Sequence, residues 1–140
     1  MSKIAVVYWS GTGNTAAMAA AVSDGAKETG AEVSLMTSAD FCSCMMNDFD
    51  AVAFGCPSMG AEELEDGEFA PMFDGCKDKL SGKKIALFGS YGWGDGEWMR
   101  NWEEECKSLG AVMACDFVIC NESPDDEAVA ACKALGAALV

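Results

Sequence analysis

An α/β domain built on a doubly wound parallel sheet is the fold that the sequence predicts, and three observations predict it. Short apolar runs alternate with longer stretches of helical composition along the whole chain. The runs are apolar almost throughout instead of alternating with polar residues, which suits strands covered on both faces. Gly30, Gly82 and Gly110 each follow a helical stretch and precede an apolar run, where a left-handed C-terminal glycine belongs.

The first run, I-A-V-V-Y-W at 4–9, meets the small polar burst S-G-T-G-N-T and then an alanine-rich helical stretch over 16–29. A run at 32–36 precedes helical composition at 40–48. The third run, 51–56, leads through P-S-M-G-A-E-E-L-E-D-G-E to a helix over 68–80. The fourth, 84–88, leads through S-Y-G-W-G-D-G-E-W to a helix over 97–109, on which Trp98 and Trp102 share one face as core residues. A fifth run at 112–120 is followed by a helix over 125–139. Strand–helix is thus repeated five times, as one domain over residues 1–140, with no linker and no sequence repeat.

Composition narrows the function. The net charge is −14, with a single arginine, Arg100, and no histidine. Such a surface repels nucleic acid and anionic membrane and suits docking to a basic protein. Without histidine, the usual general base and the commonest metal ligand are missing. No run approaches the roughly 18–20 apolar residues of a membrane helix, and no signal-peptide pattern is present, so the expected location is the cytoplasm. The eight cysteines are therefore expected to be reduced and mostly small core residues. No C-x-x-C occurs, and Cys42-Ser-Cys44 is poorly spaced for zinc or iron–sulfur but is the pair expected to be exposed and oxidisable. Cys56 lacks the arginine that a phosphatase-type cysteine-x5-arginine loop requires.

In an open parallel sheet, ligands bind beyond the carboxyl ends of the strands. The first turn places a helix N-terminus there, with unpaired amides and a dipole that favours an anion. Gly11 and Gly13 let the backbone approach a ligand, and Ser10, Thr12, Asn14 and Thr15 add neutral donors. A P-loop is excluded because no lysine follows until Lys27. The G-x-G-x-x-A pattern leaves a dinucleotide fingerprint open, as it does a simple cap by Asn14 or Thr12. In the turn after Gly89, Trp93 between Gly92 and Gly94 is placed to stack on a planar ligand, with inward packing as the alternative. Met59-Gly60 forms a second apolar–glycine pair, with Met59 as a core filler the competing reading. The acids at 62, 63, 65, 66 and 68 are either a solvated face or the source of a field on a redox cofactor.

Three motifs in order, Y-W-S-G-T-G-N-T, G-C-P-S-M-G-A-E-E-L and G-K-K-I-A-L-F-G-S-Y-G-W-G-D-G-E-W-M-R, resemble the short-chain flavodoxins of anaerobic bacteria. The likeness runs almost end to end and includes Asn121-Glu122 and Pro124-Asp125. It implies a flavodoxin-like three-layer sandwich with a five-stranded sheet in the order 2-1-3-4-5. It also implies a low-potential one-electron carrier, not an enzyme, that binds FMN non-covalently and serves redox partners such as oxidoreductases or hydrogenase-type enzymes as a monomer. By position, the turn from Ser10 to Thr15 resembles the FMN phosphate site. Trp93 resembles the ring stacked on the outer face of the isoalloxazine, and Met59 the residue covering its inner face. Gly60 resembles the glycine whose peptide reorients on reduction, so that its carbonyl accepts from flavin N5–H. Glu62 resembles the carboxylate near N3, with Ser58 and Ala61 in the same inner turn. Ser90, Tyr91, Gly92 and Gly94 fall at the ring edge, and Asn121 reaches the cofactor less directly. Ala61, where a relative carries a polar or acidic residue, and Pro57, which stiffens the turn, are expected to alter the potential and not the function.

Two other classes compete with this reading. An FMN-dependent NAD(P)H or quinone reductase on the same fold needs a substrate pocket over the ring, where Trp93 is expected to stack. A response-regulator receiver needs acids at the end of the first strand, and Val7-Tyr8-Trp9-Ser10 offers none.

Overall fold

The structure, a computed structural model, describes residues 2–140 apart from Thr12, Gly60, Ala61, Glu62, Trp93 and Asp95. Its strands are β1 (Lys3–Tyr8), β2 (Glu32–Thr37), β3 (Ala51–Gly55), β4 (Lys84–Tyr91), β5 (Val112–Met113) and β6 (Val118–Asn121). The helices are α1 (Asn14–Glu28), α2 (Phe69–Cys76), α3 (Glu97–Ser108) and α4 (Asp126–Ala138). Every strand pairing is parallel. The order is β2-β1-β3-β4-β5, with β6 also on β4, so the sheet has the expected 2-1-3-4-5 arrangement.

Each strand sends alternate residues to two cores, which explains its continuous apolar sequence. Ala5, Val7, Val52, Phe54, Ile85 and Leu87 pack with Phe69 and Phe73 of α2 and Trp98 and Trp102 of α3. Ile4, Val6, Ala51, Ala53, Ala86 and Phe88 pack on the other face with Met18 and Val22 of α1 and Cys132 and Leu135 of α4. Trp98 and Trp102 are core residues, as their spacing predicts. Helices α1 and α4 touch at glycines: a Cβ on Gly25 would lie 2.0 Å from Lys133 O, and one on Gly136 2.0 Å from Val22 O. Gly30, Gly82 and Gly110 hold φ of 93°, 75° and 89°, as their positions after helical stretches predict.

Three expectations are corrected. Residues 40–48 form no α-helix; 3₁₀ turns at Ser38–Asp40 and Ser43–Asp48 flank an extended Phe41. Here burial overrides local composition. Phe41 and Met46 are drawn into the core, and Lys83 Nζ donates to the carbonyls of Met46 and Phe49. The fifth run is not one strand: β5 and β6 both lie along β4, and pairing breaks after Ala114 N–H bonds Ile85 O at 2.9 Å. Exposed Asp116 occupies the break at the sheet edge. Nor are all the cysteines reduced: Cys42 and Cys44, the pair expected to be exposed and oxidisable, are both exposed and are joined by a disulfide. Cys56, Cys76, Cys106 and Cys132 are buried, and Cys115 and Cys120 are half-buried.

Candidate functional site

The chain leaves β1 toward β2 on one side, while β3 lies on the other side of β1. This reversal opens a crevice beyond the carboxyl ends of β1 and β3. A cavity of about 520 Å³ occupies it, within the range of about 300–1,000 Å³ usual for small-molecule sites. Gly11 and Asn14 line it from the first turn, Pro57, Ser58 and Met59 from the second, and Ser90, Tyr91 and Gly92 from the third. The three predicted turns therefore meet at one place.

The first turn is shaped by its own side chains. Ser10 Oγ accepts from Gly13 N–H at 3.0 Å and Ala16 N–H at 3.2 Å. Gly13, not Asn14, is the N-cap of α1; its φ of 94° favours glycine, and the Ser10 hydroxyl caps the first turn from outside the helix through Ala16 N–H. Ala17 N–H bonds Gly13 O at 3.0 Å, which leaves the first-turn amides of Asn14 and Thr15 without partners among the described residues. Ser10 and Gly13 also border a smaller cavity with Tyr8, Thr37 and Glu68. Among the described residues lining either cavity there is no lysine or arginine. Any anion held here is held by dipoles.

The floor is tied across the sheet. Thr15 Oγ1 and Ser90 Oγ are 2.9 Å apart and buried, so each hydroxyl satisfies the other. Tyr91 lines the cavity, with its ring 5.6 Å from that of Trp98. In the second turn, Ser58 N–H bonds Ser90 O at 3.0 Å, and Met59 and Glu63 exchange two backbone bonds of 2.9 Å. Met59 is 37% exposed, at the rim and not in the core. The side-chain oxygen of Ser58, on the cavity wall, is buried with no hydrogen-bond partner. A buried orphan hydroxyl is costly, and a polar ligand group in the cavity would satisfy it.

Not every predicted residue converges. Asn121 borders a separate cavity between β6 and α4, while its neighbours Glu122 and Ser123 reach the main one. Gly94 is exposed, with φ 84°, and lies off the lining. Thr12, Gly60, Ala61, Glu62 and Trp93 lie outside the described residues. Reading the sequence missed Trp9, Pro57, Glu122 and Ser123 as lining residues. Trp9 stands directly between β1 and the polar turn, which was the signal available. Its ring packs on Gly11, where a Cβ would come within 3.0 Å of it. Glu122 is the non-glycine with positive φ, 58°, among the described residues, and its N–H bonds Tyr91 O at 2.7 Å.

A family model described as Flavodoxin matches residues 6–135. The chain belongs to the flavodoxin family. It is 44% identical over 135 residues to the flavodoxin of Megasphaera elsdenii, covering 96% of each chain. It is also 44% identical over 121 residues to that of Clostridium beijerinckii, covering 86% of this chain and 88% of the relative. The solution structure of two-electron reduced Megasphaera elsdenii flavodoxin superposes with a TM-score of 0.89 at 44% identity, covering 97% of both chains. Both relatives are short-chain flavodoxins of anaerobes, as the motifs predict. Flavodoxins are FMN-binding electron carriers, so this chain binds FMN and passes electrons to redox partner proteins. It is an electron-transfer protein, and the reductase alternative is not favoured. The cavity fits that cofactor: unpaired helix amides for a phosphate, an orphan serine hydroxyl for a polar edge, and apolar Trp9 and Met59 for a ring. No helix among the described residues is long and apolar enough to cross a membrane.

Proposed function

We propose that the chain acts as a single FMN domain over residues 1–140, a monomeric, cytoplasmic, low-potential one-electron carrier. The turn from Ser10 to Thr15 holds the phosphate. Met59 and Trp93 cover the two faces of the ring, with Gly60, Ala61 and Glu62 at its N5–N3 side. Ser58, Ser90, Tyr91 and Gly92 contact its edge, and Glu122 replaces Asn121 as the contact from the last turn. The bound flavin supplies the one-electron chemistry, and the chain's own residues fix it, exclude water and bias its charge.

The observation that carries this reading is the cation-free cradle beside a largely apolar cavity at the reversal of strand order. Reduction places negative charge inside a protein of net charge −14. One unit charge about 10 Å away costs roughly 1.7 kcal/mol at an effective dielectric of about 20. A shift of about 1.4 kcal/mol corresponds to about 59 mV for one electron. Several such charges, even screened, lower the potential. The same surface favours partners with basic docking patches, among them oxidoreductases and hydrogenase-type enzymes.

Titration of the flavin-free protein with FMN and with riboflavin tests the cradle. Binding of FMN at least about tenfold tighter, a difference of about 1.4 kcal/mol, supports phosphate recognition by the first turn. Equal affinities would overturn it.

A further inference from the structure

We propose that the Cys56 thiol is a positioning residue for electron transfer, a clasp that closes the neck of the loop carrying Met59 to Glu62. Cys56 is the residue at which the chain leaves β3, and every polar group it carries is engaged. Its N–H bonds Phe88 O at 3.1 Å. Its carbonyl accepts from Trp98 Nε1–H at 3.2 Å. Its sulfur accepts from Glu65 N–H at 3.3 Å, while the S–H points to Pro57 O at 3.5 Å. Gly89 makes the close approach possible, because a Cβ there would lie 2.2 Å from Cys56 O.

The bond from Glu65 joins the last residue before the loop to the first residue after it. Glu65 is itself immobilised. Its carboxylate accepts from Gly67 at 2.8 Å, Glu68 at 2.7 Å and Phe69 at 2.8 Å, so it is fixed to the start of α2. Above the clasp, the Met59–Glu63 pair forms a second closure. Two rungs therefore bracket the segment 60–62, which the proposed function sets at the N5–N3 side of the flavin. Closing a loop at its neck removes conformations that would otherwise absorb a change at its tip. With the neck fixed, a turn of the tip is felt by the ring and not dissipated into the connection.

Burial pushes the Cys56 thiol up to about 12, against the lowering effect of the Glu65 N–H bond and with a small further rise from the Glu65 charge. The clasp is therefore a neutral thiol that adds no charge beside the flavin. Buried sulfur also fills its site without demanding the further partners that a hydroxyl would need.

This inference rests on the proposed placement of the loop against FMN, so binding of FMN by each variant is established first. Amide hydrogen exchange and reductive titration are then measured on the FMN-loaded protein, on Cys56→Ala and on Cys56→Ser. In Cys56→Ala, exchange at Glu65 is expected to rise about fivefold relative to the core amide of Leu87, the ratio that one ordinary hydrogen bond is worth. The separation between the two one-electron steps is expected to narrow. Cys56→Ser, which keeps an acceptor, is expected to restore both most of the way. If Cys56 only fills space, the alanine and serine variants behave alike, or Glu65 exchange does not change relative to Leu87; either result overturns the proposal. Should both variants unfold, the unsubstituted protein decides. Slow exchange at Glu65 supports the clasp, and exchange at the free-peptide rate overturns it.

Discussion

The hydroxyls of Thr15 and Ser90 lie 2.9 Å apart, buried, joining the first turn of α1 to the end of β4 beneath the flavin cavity. Removing one partner strands the other, at a cost of about 1–3 kcal/mol. Ser90→Ala and Thr15→Val are each expected to lower the stability of the flavin-free protein by that amount in urea unfolding. The double variant is expected to be no less stable than the worse single one, since it strands nothing. Additive losses would show that the two hydroxyls are not coupled.

Glu65 supplies a pH-dependent cap to α2. Burial raises its carboxyl, but the N–H groups of Phe69, Glu68 and Gly67 outweigh that, and the net pKa lies below the ordinary value. A folded pKa below the unfolded one stabilises the protein above about pH 4.3. That contribution is lost as the pH falls through the unfolded value toward the folded one. Glu65→Gln is expected to cost about 0.5–2 kcal/mol at neutral pH, as loss of a helix cap does. The deficit relative to the parent is expected to shrink in thermal unfolding at about pH 3. A deficit that stays constant with pH would remove the charge from the account.

The same residue marks where the sequence was hard to read. Strands were legible because burial on two faces leaves a continuous apolar run, and Ile4, Ala5, Val6 and Val7 are all fully buried. The meeting of three turns was legible because a parallel sheet brings its carboxyl ends together. Ser10 was expected to donate to a ligand, yet its oxygen first accepts from the amides of Gly13 and Ala16, a local closure that composition does not announce. Glu65 fell among five clustered acids, and nothing in the run distinguishes the one that caps a helix from those that face water. The 40–48 stretch was not legible as 3₁₀ turns because burial of Phe41 and Met46 shapes it, and because Lys83, from beyond the next strand, takes the carbonyl of Met46 within it and that of Phe49 just after it.

Docking is expected to depend on salt. With 23 acidic against nine basic side chains, encounter with a basic partner is steered, and the Debye length shortens to about 10 Å at 0.1 M. Stopped-flow electron transfer is therefore expected to slow as ionic strength rises from about 20 mM to about 0.3 M. A second-order rate indifferent to salt would exclude electrostatic docking.

Absorbance-monitored reductive titration at controlled potential, on the parent and on Gly60→Ala, tests single-electron carriage most directly. The parent is expected to take up its two electrons in separate steps, with the second at a strongly negative potential, and to oxidise no NADPH on its own. A β-carbon at Gly60 penalises a positive-φ turn by roughly 1–2 kcal/mol. The first step in Gly60→Ala is therefore expected to fall by some tens of millivolts, at about 59 mV per 1.4 kcal/mol, with oxidised FMN binding little changed. A single two-electron step in the parent, or its steady oxidation of NADPH, would contradict the assignment as a one-electron carrier.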